Sequence, residues 1–319
     1  MKRLVAVARS RPSIFAAALA AALFVANLIV IPAFVSQGQI APTLGTLAPF
    51  AIAAMASTPA FLSGGGGIDL SIAPLMGLIN IVLVTRLLGT SFGDPVVAVA
   101  ILLLLGAGVG ALNGVLVARL RFPPVIATLG MFFLLSGLDL RLAPQPVSTS
   151  AAWLEGLGGS IGPIPGALLT VGLPLVLWFI LGRTAYVDTL QSVGDHDATA
   201  FSAGVNVDAV RISAYALGGL IAAVGGIALT ALIRSADAST FSTYVLAALA
   251  AVALGGTNLA GGRGGLLASA LGAISIFLLD NLLSALGIGA TYIQVAYGGA
   301  LLTAVVFGSL AFPRRAAAI

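Results

Sequence analysis

The sequence predicts an all-α, polytopic membrane protein with about ten transmembrane helices. Hydrophobic residues make up 60% of the 319-residue chain, charged residues make up only 8%, and the mean hydropathy is +1.15. Soluble domains carry about 25% charged residues, so a soluble fold is excluded. Apolar runs of roughly 20 residues recur along the chain, and no hydrophilic block is longer than 183–208. We therefore predict one transmembrane domain over 1–319.

Ten apolar segments are the candidate membrane spans. The fifth is short and carries Asp139 and Arg141 near one end, while the eighth, at about 13 residues, needs an extension into 239–243 or must be a half-helix. The first follows a basic start like that of a signal peptide, but its apolar run is too long for one, so we expect a retained helix. The alternatives extend from about eight to eleven crossings. The segments lie at about 14–34, 43–62, 70–88, 95–118, 124–141, 165–182, 209–233, 244–256, 265–286 and 292–312.

Cationic residues beside these segments predict the orientation. With the N-terminus inside and the crossings alternating, the cytoplasmic side receives most of the positive charge, as cytoplasmic loops do. We therefore expect both termini in the cytoplasm, an even number of crossings and no nucleic-acid partner, since the net charge of +4 reflects topology. The inner set is Lys2, Arg3, Arg9, Arg11, Arg119, Arg121, Arg183, Arg211, Arg263, Arg314 and Arg315, and the outer set is Arg86, Arg141 and Arg234.

The polar stretch 183–208 is predicted to be a cytoplasmic loop that contains a short helix. Asp195 is the expected N-cap and Gly204 the expected residue after the C-cap. The stretch would present Phe201 and Val205 beside acidic residues. This pattern favours a docking element over the alternative of a solvated connector.

Several kinds of chemistry are missing from the sequence. The single lysine is Lys2, whereas a phosphate-binding P-loop needs a lysine after its glycines, and Asp69 follows the glycine run 64–67 and would repel phosphate. A lone histidine, His196, and no cysteine offer neither a catalytic triad nor a metal site. We expect no enzymatic activity, no metal and no cofactor bound by this chain.

Polar side chains within apolar segments are candidates for function because burying them in a membrane is costly. Each has a plainer alternative: Asp69 could cap the third helix, Asn113 could brace neighbouring helices, and Asp280 could reach toward the outer face. The candidates for a solute path are Asp69, Ser71, Asn113, Thr128 and Asn281.

Short motifs resemble the ribose-type permeases, the membrane subunits of ATP-binding-cassette (ABC) importers for monosaccharides and related solutes. The most specific is Gly-Gly-Ile-Asp-Leu-Ser-Ile-Ala at 66–73, close to the family's Gly-Gly-Ile-Asp-Leu-Ser-Val-Gly. Further matches occur in family order at 110–114, 124–130, 194, 203–205, 234–237 and 255–264. The resemblance implies the ABC importer permease fold in a bacterial inner membrane.

The resemblance also implies partners: a cytoplasmic ABC ATPase that uses the ATP, a second permease copy or a paralogous permease, and a periplasmic solute-binding protein. The loop would then couple to the ATPase, and its implied coupling residues are Gly194, Asp195, His196, Ala203 and Gly204. Import would proceed by alternating access.

The sequence departs from the family before the second double glycine. The family often has Glu-Leu-Asp-Ala where this chain has Val-Leu-Ala-Ala at 245–248, so two expected carboxylates are absent. Two other functions stay open: an ion-coupled secondary transporter that uses Asp69 or Asp280, and an ABC permease for branched-chain amino acids or nucleosides.

Overall fold

The computed structural model describes residues 12–289, 292, 294–299 and 302. Its elements, in chain order, are α1 Pro12–Val30, α2 Gln37–Leu62, α3 Ile72–Val82 with a following π-helical turn Leu83–Leu87, a 3-10 turn Ser91–Gly93, α4 Pro95–Ala118, α5 Pro124–Leu142, β1 Val147–Ser148, α6 Ala152–Gly158, β2 Ser160–Ile161, β3 Ile164–Pro165, α7 Gly166–Leu181, α8 Ala185–Asp195, α9 Asp197–Ser202, α10 Val207–Ile233, β4 Ser235–Ala236, a 3-10 turn Thr240–Thr243, α11 Tyr244–Leu254 and α12 Leu266–Ala285. The all-α prediction is confirmed, because the strands are only two residues long.

Nine of the ten predicted segments coincide with helices to within a few residues. The tenth, 292–312, falls largely outside the described residues. Five described helices are long and apolar enough to cross a membrane, or six if the pair α7 and α8, bent by 86°, counts as one span. The eighth segment is lengthened at its start by the 3-10 turn Thr240–Thr243, one of the two sequence alternatives. The number of about ten crossings stays a prediction.

Helix boundaries follow local chemistry. Asp94 accepts hydrogen bonds from the backbone N–H of Val96 and Val97 at 3.0 and 3.3 Å, and Pro95 occupies the first position of α4. An Asp cap and a first-turn proline are both favourable at a helix N-terminus. Prolines also lie inside α2, at Pro42, Pro49 and Pro59. A membrane helix tolerates such residues where its neighbours satisfy the freed backbone groups.

The central helix is α10, most of whose second half is buried. It packs against α2, α3 and α4. Glycines let its backbone touch that of α4: a Cβ atom on Gly106 would lie 2.4 Å from the carbonyl oxygen of Gly219, and one on Gly110 would lie 2.2 Å from that of Tyr215. Small residues at such a crossing permit the close helix packing found in membranes.

The two ends of the bundle differ in construction. At one end β1 pairs with β4 and β2 pairs with β3, and Arg234 forms an ion pair with Glu155 of α6 at 2.8 Å. At the other end α8 and α9 lie against the loops that follow α2 and α11. We term the end with strands β1 to β4 the hairpin end. Arg234 belongs to the hairpin end, while Arg211 belongs to the end with α8 and α9. This agrees with the predicted split of these two cations between the two sides.

The predicted helix in the 183–208 loop is correct in its end and wrong in its start. Gly204 has φ +87°, and the N–H groups of Gly204 and Val205 bond to the carbonyls of Phe201 and Ala200 at 2.9 and 3.0 Å, which is a Schellman C-terminal motif. The N-cap is His196 and not Asp195, because Asp195 ends α8 and His196 adopts an extended backbone, φ −152° and ψ 93°. The stretch is therefore two helices with a break at His196.

Candidate functional site

Four of the five predicted path residues meet in one hydrogen-bonded cluster. The Asp69 carboxylate accepts bonds from the backbone N–H and the hydroxyl of Ser71 at 2.9 and 2.6 Å. Asn113 of α4 donates its amide N–H to the Ser71 hydroxyl at 2.8 Å. Thr128 of α5 donates to the backbone carbonyl of Ile68 at 3.1 Å. The cluster therefore ties α4 and α5 to the loop that precedes α3.

This cluster is buried inside the chain. Asp69 is 3% exposed, and Ser71, Asn113 and Thr128 are fully buried. Asn113 links α4 to Ser71, as in the bracing alternative, whereas Asp69 bonds to Ser71, the residue before α3, and not to an N–H of the helix itself. Asn281 lies on α12, half-buried, and takes no part in the hydrogen bonds of the cluster. Participation of these residues in a solute path stays a prediction.

A small cavity of about 10 Å³ adjoins Asp69, roughly the space that one water molecule needs. Ser57 of α2 and Tyr244 of α11 also line it, together with Val245. Val245 stands at the first position of the family's Glu-Leu-Asp-Ala segment. The departure from the family pattern is therefore adjacent to the Asp69 cluster.

The glycine run after α2 turns the backbone back toward the helices. Gly64, Gly65 and Gly66 have φ values of +72°, +64° and +74°, a region that residues with a Cβ atom avoid. A Cβ atom on Gly67 would lie 2.1 Å from the carbonyl oxygen of Ala60, so the returning chain packs directly on α2. These conformations return the chain from the exposed Gly65 and Gly66 to the buried Asp69.

Three backbone segments meet at what we term the glycine junction, formed by Leu62, Gly64, Gly194, Gly261 and Gly262. The N–H of Gly262 donates to the carbonyl of Leu62 at 3.2 Å. A Cβ atom on Gly194 would lie 1.9 Å from that carbonyl oxygen, and one on Gly261 would lie 2.5 Å from the Cα of Gly64. The end of α8 thus touches both glycine-rich loops without intervening side chains.

The implied coupling residues divide between two environments. Gly194 belongs to the glycine junction, whereas Asp195, His196, Ala203 and Gly204 are exposed. Phe201, on α9 between them, is 72% exposed, which leaves a large aromatic side chain on the surface of the loop. Gly194 and the backbone of Asp195, which lies against Gly262, accordingly contact the rest of this chain, and the other three border the surface.

Sequence reasoning missed Arg211 as a functional candidate and counted it only as a topology marker. Its guanidinium reaches from α10 to Asp197 of α9 at 3.0 Å and, through Nε, to the carbonyl of Ser63 at 3.4 Å. One feature of the sequence could have marked Arg211 as a candidate: it lies in the first turns of a long helix that directly follows the polar loop. Only the folded chain brings position 211 beside position 63.

The family described as "Branched-chain amino acid transport system / permease component" matches residues 39–310. The ribose import permease protein RbsC of Escherichia coli (strain K12) is 35% identical over 265 residues, 80% of this chain and 81% of the relative. RbsC of Bacillus subtilis (strain 168) is 31% identical over 76% of each chain.

Another relative, the autoinducer 2 import system permease protein LsrC of Escherichia coli (strain K12 / DH10B), is 34% identical over 75% of this chain and 70% of its own. No solved structure matches the chain. The family match covers most of the chain, it contains the Asp69 cluster and the glycine junction, and the apolar helices are those of a multi-pass membrane protein. This chain therefore belongs to the family of membrane-spanning permease components that includes the ribose import permeases.

Proposed function

We propose that this chain is the permease subunit of an ABC importer that carries a monosaccharide or sugar-like solute into the cytoplasm by alternating access. The observation that carries the proposal is the similarity to ribose and autoinducer 2 import permeases over three quarters of the chain or more. The broken, glycine-rich segments around Asp69 support it, because such segments are typical of transporter sites. The site would be completed by a second permease copy or a paralogous permease.

ATP is handled by a separate ABC ATPase in this proposal, and the chain itself binds no nucleotide, metal or cofactor. The end that carries α8 and α9 faces the cytoplasm of a bacterial cell, as do both termini, and the hairpin end faces a periplasmic solute-binding protein. The inward bias of the cationic residues supports this orientation. Phe201 supports α9 as the ATPase contact, because it is 72% exposed on the polar loop, outside the apolar helices and beside the acidic Asp195 and Asp197.

Reconstitution tests the proposal. Proteoliposomes that contain this chain, its ATPase and the solute-binding protein should take up the solute only when ATP is present inside. Uptake by this chain alone, driven by an ion gradient and abolished by an uncoupler, would overturn the proposal in favour of a secondary transporter.

The ATPase contact has a matched test. Phe201→Ala should weaken binding of the ATPase by about tenfold or more, measured by co-purification and ATP hydrolysis. Phe133→Ala is the control, since Phe133 of α5 is comparably exposed at 66% but lies on a membrane helix. Equal ATPase binding by both variants would remove α9 as the contact.

A second candidate solute class is branched-chain amino acids, which the description of the matching family names. The two classes are separated by calorimetric titration of the solute-binding protein encoded beside this chain. Binding of a pentose or another sugar-like solute is the expected result, and binding of leucine or valine alone would favour the second class.

A further inference from the structure

Arg211 occupies a position between three separate elements of the chain. It starts from α10, its Nη2 lies 3.0 Å from the carboxylate of Asp197 in the first turn of α9, and its Nε donates to the carbonyl of Ser63 at the end of α2. The guanidinium also lies over Gly65, where a Cβ atom would meet Nη2 at 2.9 Å. A side chain at position 65 would therefore displace it.

The plain explanation is a surface ion pair, which usually contributes little to stability. The burial of the two partners is unequal, however: the side chain of Arg211 is 18% exposed and that of Asp197 is 56% exposed. Ser63 is 1% exposed, and its carbonyl is one of those that a helix end leaves without an intrahelical partner. The Arg211 guanidinium thus donates a hydrogen bond to the Ser63 carbonyl after α2 and also forms the ion pair with Asp197 of α9.

The segment held by Arg211 leads to the interior of the protein. From Ser63 the chain passes through Gly64, which packs on the glycine junction, and returns to Asp69 and Ser71 at the start of α3. Gln191 of α8 makes a second link, because its amide N–H donates to the carbonyl of Gly264 at 3.2 Å. A displacement of α8 and α9 therefore acts on the loops before both α3 and α12.

We propose that Arg211 is a positioning residue for coupled transport: it transmits displacement of α9 to the α2–α3 loop and so to the start of α3. This inference rests on the proposed function, in which an ATPase moves α9. Coupling between distant sites can be carried by hydrogen bonds and ion pairs that link one element to the next, and the side chain of Arg211 links α9 to Ser63 in this way.

The experiment uses the complete transporter in proteoliposomes, with solute uptake and ATP hydrolysis measured in the same sample. Arg211→Met should lower the solute carried per ATP hydrolysed by about fivefold or more, while the ATPase still co-purifies. Arg211→Lys should recover part of the ratio, because an ammonium group keeps a charge for Asp197 but lacks the planar fork that also serves Ser63. Arg119→Met is the control, since Arg119 is an exposed cation at the end of α4 and is not part of the connection between α9 and Ser63.

Asp197→Asn removes the ion pair alone and keeps the test valid if Arg211→Met fails to fold. It should lower the ratio less than Arg211→Met does, and the double variant should be no worse than Arg211→Met, because two residues in one connection are not additive. An unchanged ratio in both single variants, or an equal fall in Arg119→Met, would overturn the role of Arg211. Failure of the unaltered transporter to couple uptake to ATP would instead overturn the proposed function.

Discussion

Replacement of Gly194 by alanine tests the glycine junction with a single methyl group. The added carbon would lie 1.9 Å from the carbonyl oxygen of Leu62 and 2.5 Å from the backbone nitrogen of Gly262. Favourable contact needs about 3.5 Å. The Leu62 carbonyl, which belongs to a fully buried residue, must therefore retreat by about 1.6 Å. Neither neighbour can yield by rotating a side chain, because both atoms belong to the backbone.

The expected change in the free energy of unfolding combines two costs and one gain. Over-packing a close-packed site costs about 1–3 kcal/mol. A retreat of that size also breaks the 3.2 Å bond from the Gly262 N–H to Leu62, and leaving a buried carbonyl without a donor costs about 1–3 kcal/mol. Alanine regains about 0.5–1 kcal/mol because Gly194 is helical. We expect a net loss of about 2–4 kcal/mol.

The assay is the midpoint of thermal unfolding of the purified chain in detergent, which should be lower in Gly194→Ala by about 3–6 °C. Gly130→Ala is the matched control, because Gly130 is also helical and a Cβ atom there meets nothing within 4 Å. It should unfold at the original temperature or slightly above. A Gly194→Ala variant as stable as Gly130→Ala would refute the contact geometry on which the junction rests.

Three further substitutions test buried and surface polar groups. Asn80→Leu should destabilise the fold by about 2–4 kcal/mol. Asn80 donates to the Thr230 hydroxyl and to the Ser235 carbonyl at 2.9 and 2.8 Å, and it accepts from the Asp237 N–H at 3.1 Å. Chemical denaturation measures the loss of stability, and an unchanged stability would contradict the prediction. Asp139→Leu should increase the free energy of unfolding by about 1–3 kcal/mol and so raise the unfolding midpoint, since neither carboxyl oxygen of this fully buried side chain has a hydrogen-bond partner among the described residues. A lower midpoint would show that Asp139 has a necessary partner. The pKa of Asp237 is lowered because the backbone N–H and hydroxyl of Ser239 donate to its carboxylate, so its contribution to stability is present above the unfolded pKa of about 4 and is lost as the pH falls through the folded pKa. The free energies of unfolding of the unaltered chain and of Asp237→Asn should therefore differ above this acidic range and converge as the pH falls through it, and a difference that does not change with pH would exclude the effect.

Much of the fold is local and could be predicted. Hydropathy alone locates the apolar helices, and side chains beside their ends mark several boundaries, such as Asp94 with Pro95 and Gly204 after α9. Polar side chains within apolar segments also predicted a set of path candidates, four of which the fold brings together. Each of these signals is contained within a few consecutive residues or within a motif of the family.

The features that could not be predicted depend on residues far apart in the chain. The pairing of β1 with β4 joins positions 147 and 236, and no pattern in either segment specifies its partner. Arg211 meets Ser63 across a separation that sequence periodicity cannot bridge. The break at His196 was missed because Asp195 is a good N-cap by type, whereas packing of Gly194 on the junction keeps α8 helical through Asp195.

The close crossing of α4 and α10 limits how this protein can move. Where Gly106 and Gly110 meet Gly219 and Tyr215, main chain rests on main chain, so no layer of side chains can change rotamer to let one helix slide past the other. Rearrangements between packed helices usually use such small side-chain adjustments. The two helices should therefore move as one rigid unit during a transport cycle.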